Sequence, residues 1–155
     1  RNEPLSKFLL RADTWVPVAT VNTTALLGEL AALTRQRQGS VLPVTQVDAR
    51  VVVGPVCARP GPCPLCVRLY LLDRDPNWPV VEQRAPLSVQ GEPIAAAAGA
   101  AVAAVSLRRL AGAPDPPGVS APKPDAGLFT VVDPFAPTQV STATLPPHPD
   151  CAMCF

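Results

Sequence analysis

Five cysteines hold nearly all the reactive chemistry of this chain, and they fall into two clusters. Cys57, Cys63 and Cys66 lie in CARPGPCPLC, and Cys151 and Cys154 lie in the closing CAMCF. Two chemistries compete for them. As metal ligands, Cys63-x-x-Cys66 and Cys151-x-x-Cys154 offer four thiolates in two knuckle-like pairs, with His148 as a spare donor. As disulfides, the proline-set turn brings Cys57 to Cys63, or Cys57 pairs with Cys66 across a hairpin base. One of the three then reaches the terminal pair and pins the tail to the sheet. A long loop closed in that way stabilises by about 4–5 kcal/mol in chain-entropy terms. Cys63-Pro-Leu-Cys66 lacks the glycine that relaxes a metal knuckle, and Cys57 is left over. The reading therefore favours disulfides at Cys57, Cys63, Cys66, Cys151 and Cys154, and no metal. Five is odd, so one thiol is free, buried or bonded to another chain, with Cys154 the candidate for a covalent partner.

Other reactive groups are few. Asn22-Thr23-Thr24 is an N-glycosylation sequon, and it agrees with an oxidising compartment. His148 is the only histidine and sits between prolines, where proton transfer lacks a rigid frame. There is no HExxH, no P-loop and no GxGxxG, so an enzyme is not expected. Cys63-x-x-Cys66 as a redox dithiol requires a helix start that the sequence does not suggest there. Asp73, Asp75 and Asn77 are spaced like the opening of a calcium loop, but Pro76 intervenes and no closing glutamate follows. That segment reads as a solvated turn. Trp78, beside it, is a core lid or a contact anchor, and Trp78, Asp75 and Asn77 are assigned as partner contacts.

Composition narrows the class. The chain has 155 residues, 48% hydrophobic and 16% charged, with a formal net charge of +1. That is enough to bury a core as a single domain over 1–155, and it gives no basic patch to attract nucleic acid. No nucleic-acid partner and no cofactor are expected. The longest apolar run, Ile94 to Leu107, falls short of the roughly 18 residues needed to cross a bilayer. The absence of an initial methionine suggests a removed signal peptide or an excised segment. The 21 prolines cut the chain into short elements with stiff connections.

Those elements follow from local pattern. Trp15 to Val21 is a β-rich run whose Pro17 suits an edge strand. Asn22 to Thr24 offers caps for an amphipathic helix over Ala25 to Gln36, with Leu26, Leu27, Leu30 and Leu33 at helical spacing. Val41 to Val56 reads as one strand, and Cys66 to Leu72 as its hairpin partner. Glu92-Pro93 opens an alanine-rich helix that ends at Arg108, Arg109 and Gly112. A proline-rich loop at 113–127 follows. Leu128 to Val132 is a strand, Thr138 to Leu145 is a candidate for another, and a tail runs over 146–155.

Val51 to Leu72, VVVGPVCARPGPCPLCVRLYLL, carries C-x5-C-x2-C and then an apolar strand bearing one arginine. This stretch is similar to the extracellular domains of the interleukin-17 receptor family. The resemblance implies a cytokine-receptor ectodomain built from all-β modules.

The fold expected from the residues is α+β: an antiparallel sheet with two helices in a split βαβ-like order, disulfide-stabilised. An all-β sandwich is the alternative. The function expected is a non-enzymatic interaction module of a secreted or membrane-tethered glycoprotein, cellular or viral, at the cell or virion surface. Its partner is a protein, with no membrane insertion in this chain. A zinc-stabilised intracellular adaptor using Cys63, Cys66, Cys151 and Cys154 is the second reading, and a thiol oxidoreductase the third.

Overall fold

The computed structural model describes residues 14–15, 18–20, 30–31, 40–84 and 91–155. Its strands are β1 (Thr14–Trp15), β2 (Val18–Thr20), β3 (Ser40–Val41), β4 (Val44–Val47), β5 (Arg50–Val53), β6 (Leu128–Val132) and β7 (Val140–Thr144). Its helices are α1 (Pro64–Arg74), α2 (Trp78–Arg84) and α3 (Pro93–Leu110). Five strands form one sheet in the order β2-β4-β5-β6-β7, while β1 and β3 pair separately in parallel. Within the larger sheet β2 runs parallel to β4, and the remaining pairings are antiparallel.

The α+β class and the antiparallel sheet stand; the all-β alternative does not. Helices occupy too much of the chain. The run from Val41 to Val56 is also not one strand. It turns at Asp48 and Ala49, so that Val47 faces Arg50 across a two-residue hairpin. Asp48 takes φ 53, a left-handed conformation that a short polar side chain tolerates and that such hairpins require. With no Asn-Gly or Asp-Gly at that point, the turn is invisible to a pattern reading. From there the strands follow one another across the sheet rather than in split βαβ order.

The larger departure is α1. Cys66 to Leu72, a strand by its sequence pattern, lies inside an 11-residue helix. Cys63 is its extended N-cap, and Pro64 occupies the first helical turn, where its ring presets φ and its missing N–H is not needed. A short apolar run such as CVRLYLL fits either period, and here the proline decides. The loop expected at 73–79 is correspondingly short, because Trp78 already opens α2.

The alanine-rich helix matches its expectation closely. Glu92 caps α3 by accepting the Ala95 N–H at 2.6 Å, Arg108 and Arg109 stand in the last turn, and Gly112 follows at φ 70. Although α3 is by length and composition alone able to cross a bilayer, Ala95, Gly99, Ala103 and Leu110 line its buried stripe. That stripe joins Leu42, Val44, Val51, Val53, Val56 and Val132 in the core. A Cβ on Gly99 would lie 2.6 Å from Val51 Cβ, so only glycine permits this approach of helix to sheet.

The single run expected over 15–21 is seen in part, as the two strands β1 and β2, and β2 does lie at the sheet edge among the described residues. Leu30 and Ala31 are helical and buried; the rest of the helix expected over 25–36 lies outside the described residues. The proline-rich loop is ordered by Asp115, whose carboxylate accepts the Ala121 N–H at 3.2 Å, while Arg108 donates to the Pro114 carbonyl at 2.7 Å.

Candidate metal centre

Four cysteines converge from the start of α1 and from the tail after β7. After β5, Gly54 at φ 101 lets the chain pass against β6; a Cβ there would meet Leu128 O at 2.7 Å. The Val56 N–H then donates to Leu128 O, Cys57 pairs with Val41, and the chain reaches Cys63. Cys66 sits in the first turn of α1, with its N–H on the Cys63 carbonyl at 2.9 Å. The tail after β7 repeats this arrangement: the Cys154 N–H donates to the Cys151 carbonyl at 3.0 Å. Each C-x-x-C therefore closes one tight turn with both sulfurs on the same side.

The sulfurs meet. Cys63 Sγ lies 3.8 Å from Cys66 Sγ and 3.5 Å from Cys151 Sγ, and Cys66 Sγ lies 3.4 Å from Cys154 Sγ. All four fall within 4.8 Å of one another. Four sulfurs about 2.3 Å from a tetrahedral centre stand about 3.8 Å apart, whereas a disulfide needs about 2.05 Å. The arrangement is that of a metal site, and all five cysteines are free thiols. The expected disulfides at Cys57, Cys63, Cys66, Cys151 and Cys154 are corrected on this geometry, and four of these sulfurs are grouped so that they could hold a metal ion. The missing knuckle glycine is made unnecessary because the first turn continues into a helix whose N-terminus favours thiolate.

The electrostatics agree. Burial opposes ionisation of Cys151, but the Met153 N–H and the thiols of Cys66, Cys63 and Cys154 bond to its sulfur and outweigh that, so its pKa falls. Burial pushes Cys63 up, helped by its bonds to Cys151 and Cys154, and it pushes Cys154 up to about 11. One thiolate is favoured and its neighbours resist joining it. A divalent cation removes that conflict, since a coordinated thiol is deprotonated outright. Cys57 is different. It is 1% exposed, donates to the Pro55 carbonyl at 3.4 Å, and burial holds its thiol far above the ordinary range. It is a small core residue, the buried thiol that an odd count allows.

Three residues that the sequence reading undervalued stand beside the sulfurs. His148 is the one buried polar residue among those described, at 2% exposure. Its Nε2 lies 2.8 Å from Asp73 Oδ2, its Nδ1 accepts the Asp150 N–H at 3.1 Å, and its ring meets Tyr70 edge-on at 4.6 Å. His148 is not a spare metal ligand. The contact trio expected at the next turn has local roles: Asp75 caps α1 through its N–H to Leu71 O, its Oδ1 accepts the Asn77 N–H at 2.9 Å, and its carbonyl accepts the Trp78 N–H. Asn77 O in turn accepts from Val80. Trp78 is half-buried, and its enclosed indole N–H has no hydrogen-bond partner among the described residues. Asn22 lies outside the described residues.

No family model and no curated protein sequence matches the chain. Solved structures do. E. coli MccB with MccA-N7isoASN aligns at TM-score 0.64 and 14% identity, over 99% of this chain and 44% of that one. The microcin C7 biosynthetic enzyme MccB in complex with N-formylated MccA aligns at 0.62 and 15%, over 93% and 41%. A heterocyclase in complex with substrate and cofactor aligns at 0.59 and 20%, over 97% and 26%. At these identities the likeness concerns the fold, and this chain spans less than half the length of each neighbour. Together with four unbonded cysteines arranged for a metal, these neighbours overturn the ectodomain reading. The glycoprotein, secreted and disulfide assignments lose their support, as does the interleukin-17 receptor resemblance, whose second strand is α1.

Proposed function

We propose that this chain is the metal-bearing part of a biosynthetic enzyme acting on a peptide, and that Cys63, Cys66, Cys151 and Cys154 hold one structural zinc. The tetrahedral spacing of the four sulfurs carries the reading. Thiolate donors in S4 geometry suit zinc, and four protein ligands leave no position for water or substrate. Zinc bound here would join parts of the fold rather than activate a reactant. The parts joined are the N-terminus of α1 and the tail that leaves β7, 88 residues apart in sequence. That junction fixes the β6–β7 hairpin relative to the helical layer.

The peptide substrate is supported by the neighbours. MccB is seen with MccA and the heterocyclase with its substrate. Because this chain matches only a portion of each, catalysis would require further polypeptide around it.

The test is metal content. Protein purified under reducing conditions should contain one zinc per chain, measured by mass spectrometry of the elements, and Cys63→Ser or Cys151→Ser should abolish it. Binding of fluorescently labelled MccA, followed by anisotropy, tests the substrate class. Metal-free protein with oxidised cysteines would overturn the zinc reading, and the absence of any peptide binding by the zinc-loaded chain would overturn the other.

A further inference from the structure

Cys66, Tyr70 and Asp73 recur along α1 at i, i+4 and i+7, which places them on one face of the helix. The tail runs back along that face. Cys151 and Cys154 meet the N-terminal end, and His148 meets Tyr70 and Asp73 further down. Tyr70 Oη donates to the Pro147 carbonyl at 3.4 Å, and the His148 carbonyl accepts the Cys151 N–H at 3.0 Å. The ring of His148 therefore ties the tail to the helix, while its backbone carbonyl holds the first tail ligand. Its Nδ1 accepts the Asp150 N–H, so the neutral ring carries its proton on Nε2 and donates it to Asp73.

The two halves of the sulfur site are held unequally. Cys63 and Cys66 belong to a helix start braced by Pro64, which is itself buried. Cys151 and Cys154 belong to a short turn, with Phe155 80% exposed and Cys154 Sγ only 3.9 Å from the Gly61 carbonyl. Cys151 is buried, and of the backbone bonds of this turn the one that leaves it runs from the Cys151 N–H to the His148 carbonyl.

We infer that His148 is the positioning residue of this centre: gripping Asp73 and Tyr70, it holds the Cys151–Cys154 half against α1 and sets how fast the metal leaves. The inference rests on the zinc reading above. Orienting partners of metal ligands commonly change affinity by about 10–100-fold when removed, and here the change falls on release, because the tail half opens first.

The experiment uses the zinc-loaded full chain and an excess of a chromophoric chelator. His148→Ala and Asp73→Ala should each release zinc about 10–100-fold faster than the unaltered protein. Asp73→Asn, whose amide oxygen still accepts from Nε2, should release at nearly the unaltered rate. Glu92→Ala weakens the distant cap of α3 and should leave release unchanged, which separates positioning from general loss of stability. Iodoacetamide labelling of His148→Ala during release, mapped by peptide mass, should reach Cys151 and Cys154 before Cys63 and Cys66. If His148→Ala does not fold, Asp73→Ala carries the test, since Asp73 is largely exposed. Zinc release at the unaltered rate, or simultaneous labelling of all four thiols, would overturn the inference while leaving the metal reading intact. Failure of the unaltered chain to hold zinc would instead sink the metal reading itself.

Discussion

Removing the metal should lower stability by an amount that the chain's topology sets. The unfolded chain can also offer thiolates to zinc, since each C-x-x-C is a local pair. What it cannot offer without cost is both pairs at once. Bringing Cys66 to Cys154 closes a loop of 88 residues, which costs about 4–5 kcal/mol of chain entropy at 25 °C. The folded chain has already met that cost in its sheet and helices. Zinc therefore favours the folded state by roughly that difference, and a chelator should withdraw it. For a protein of this size, 1 kcal/mol corresponds to about 2–4 °C in Tm, so chelation should lower Tm by about 8–20 °C. The assay is calorimetry in a phosphine reductant, with and without an excess of a zinc chelator, and the Cys63→Ser/Cys66→Ser variant as control. The variant should melt at the chelated temperature whether or not chelator is present. A zinc-loaded protein whose melt does not move on chelation would refute the reasoning, because the tail junction would then contribute nothing to folding.

Two further outcomes follow from the core. Gly99→Ala gains about 1 kcal/mol of helix propensity but drives its methyl into both branches of Val51, an overpacking of about 1–3 kcal/mol. Net destabilisation is expected in urea melts, and a more stable variant would show that α3 can step away from the sheet freely. Cys57 gives a pH dependence with a defined sign. Burial raises its folded pKa above the ordinary 9.0, so as pH climbs past 9 the unfolded chain loses this proton first. Stability should then fall by up to about 1.4 kcal/mol per pH unit beyond what Cys57→Ala shows. Equal slopes for the two proteins would mean that this thiol is not held in the core.

How much of this was legible depends on how many local signals agreed. At α3 they all agreed: a glutamate and a proline at the start, alanine throughout, two arginines and then a glycine at the end. Tertiary packing had nothing to override. At Val41 to Val56 the hydrophobic pattern was right and the turn was missed, because Asp48 takes a left-handed conformation without the glycine that usually announces it. At α1 the signals conflicted. Val67, Leu69, Tyr70, Leu71 and Leu72 suit a strand by composition, and only Pro64 marks the start of the helix. Reading α1 as a strand removed the i, i+4, i+7 face, and with it every reason to connect Cys66, Tyr70 and Asp73.

The four-sulfur cluster was visible as a pattern and set aside as a metal site, and two of the objections to it are answered elsewhere in the fold. A knuckle without glycine is strained only if the chain must turn back after it, and here the chain continues into α1. An odd cysteine argues for oxidation only if every cysteine plays the same role, and Cys57 plays that of a buried aliphatic residue. The same reasoning applies to His148, which stood between two prolines without apparent support. Its frame comes from Asp73, 75 residues away, and the prolines stiffen the stretch that delivers it there. Parity and spacing are properties of a string, whereas ligation and support belong to surfaces brought together by folding. A sequence reading can therefore name the four sulfurs, but choosing between bridge and metal requires the distances among them.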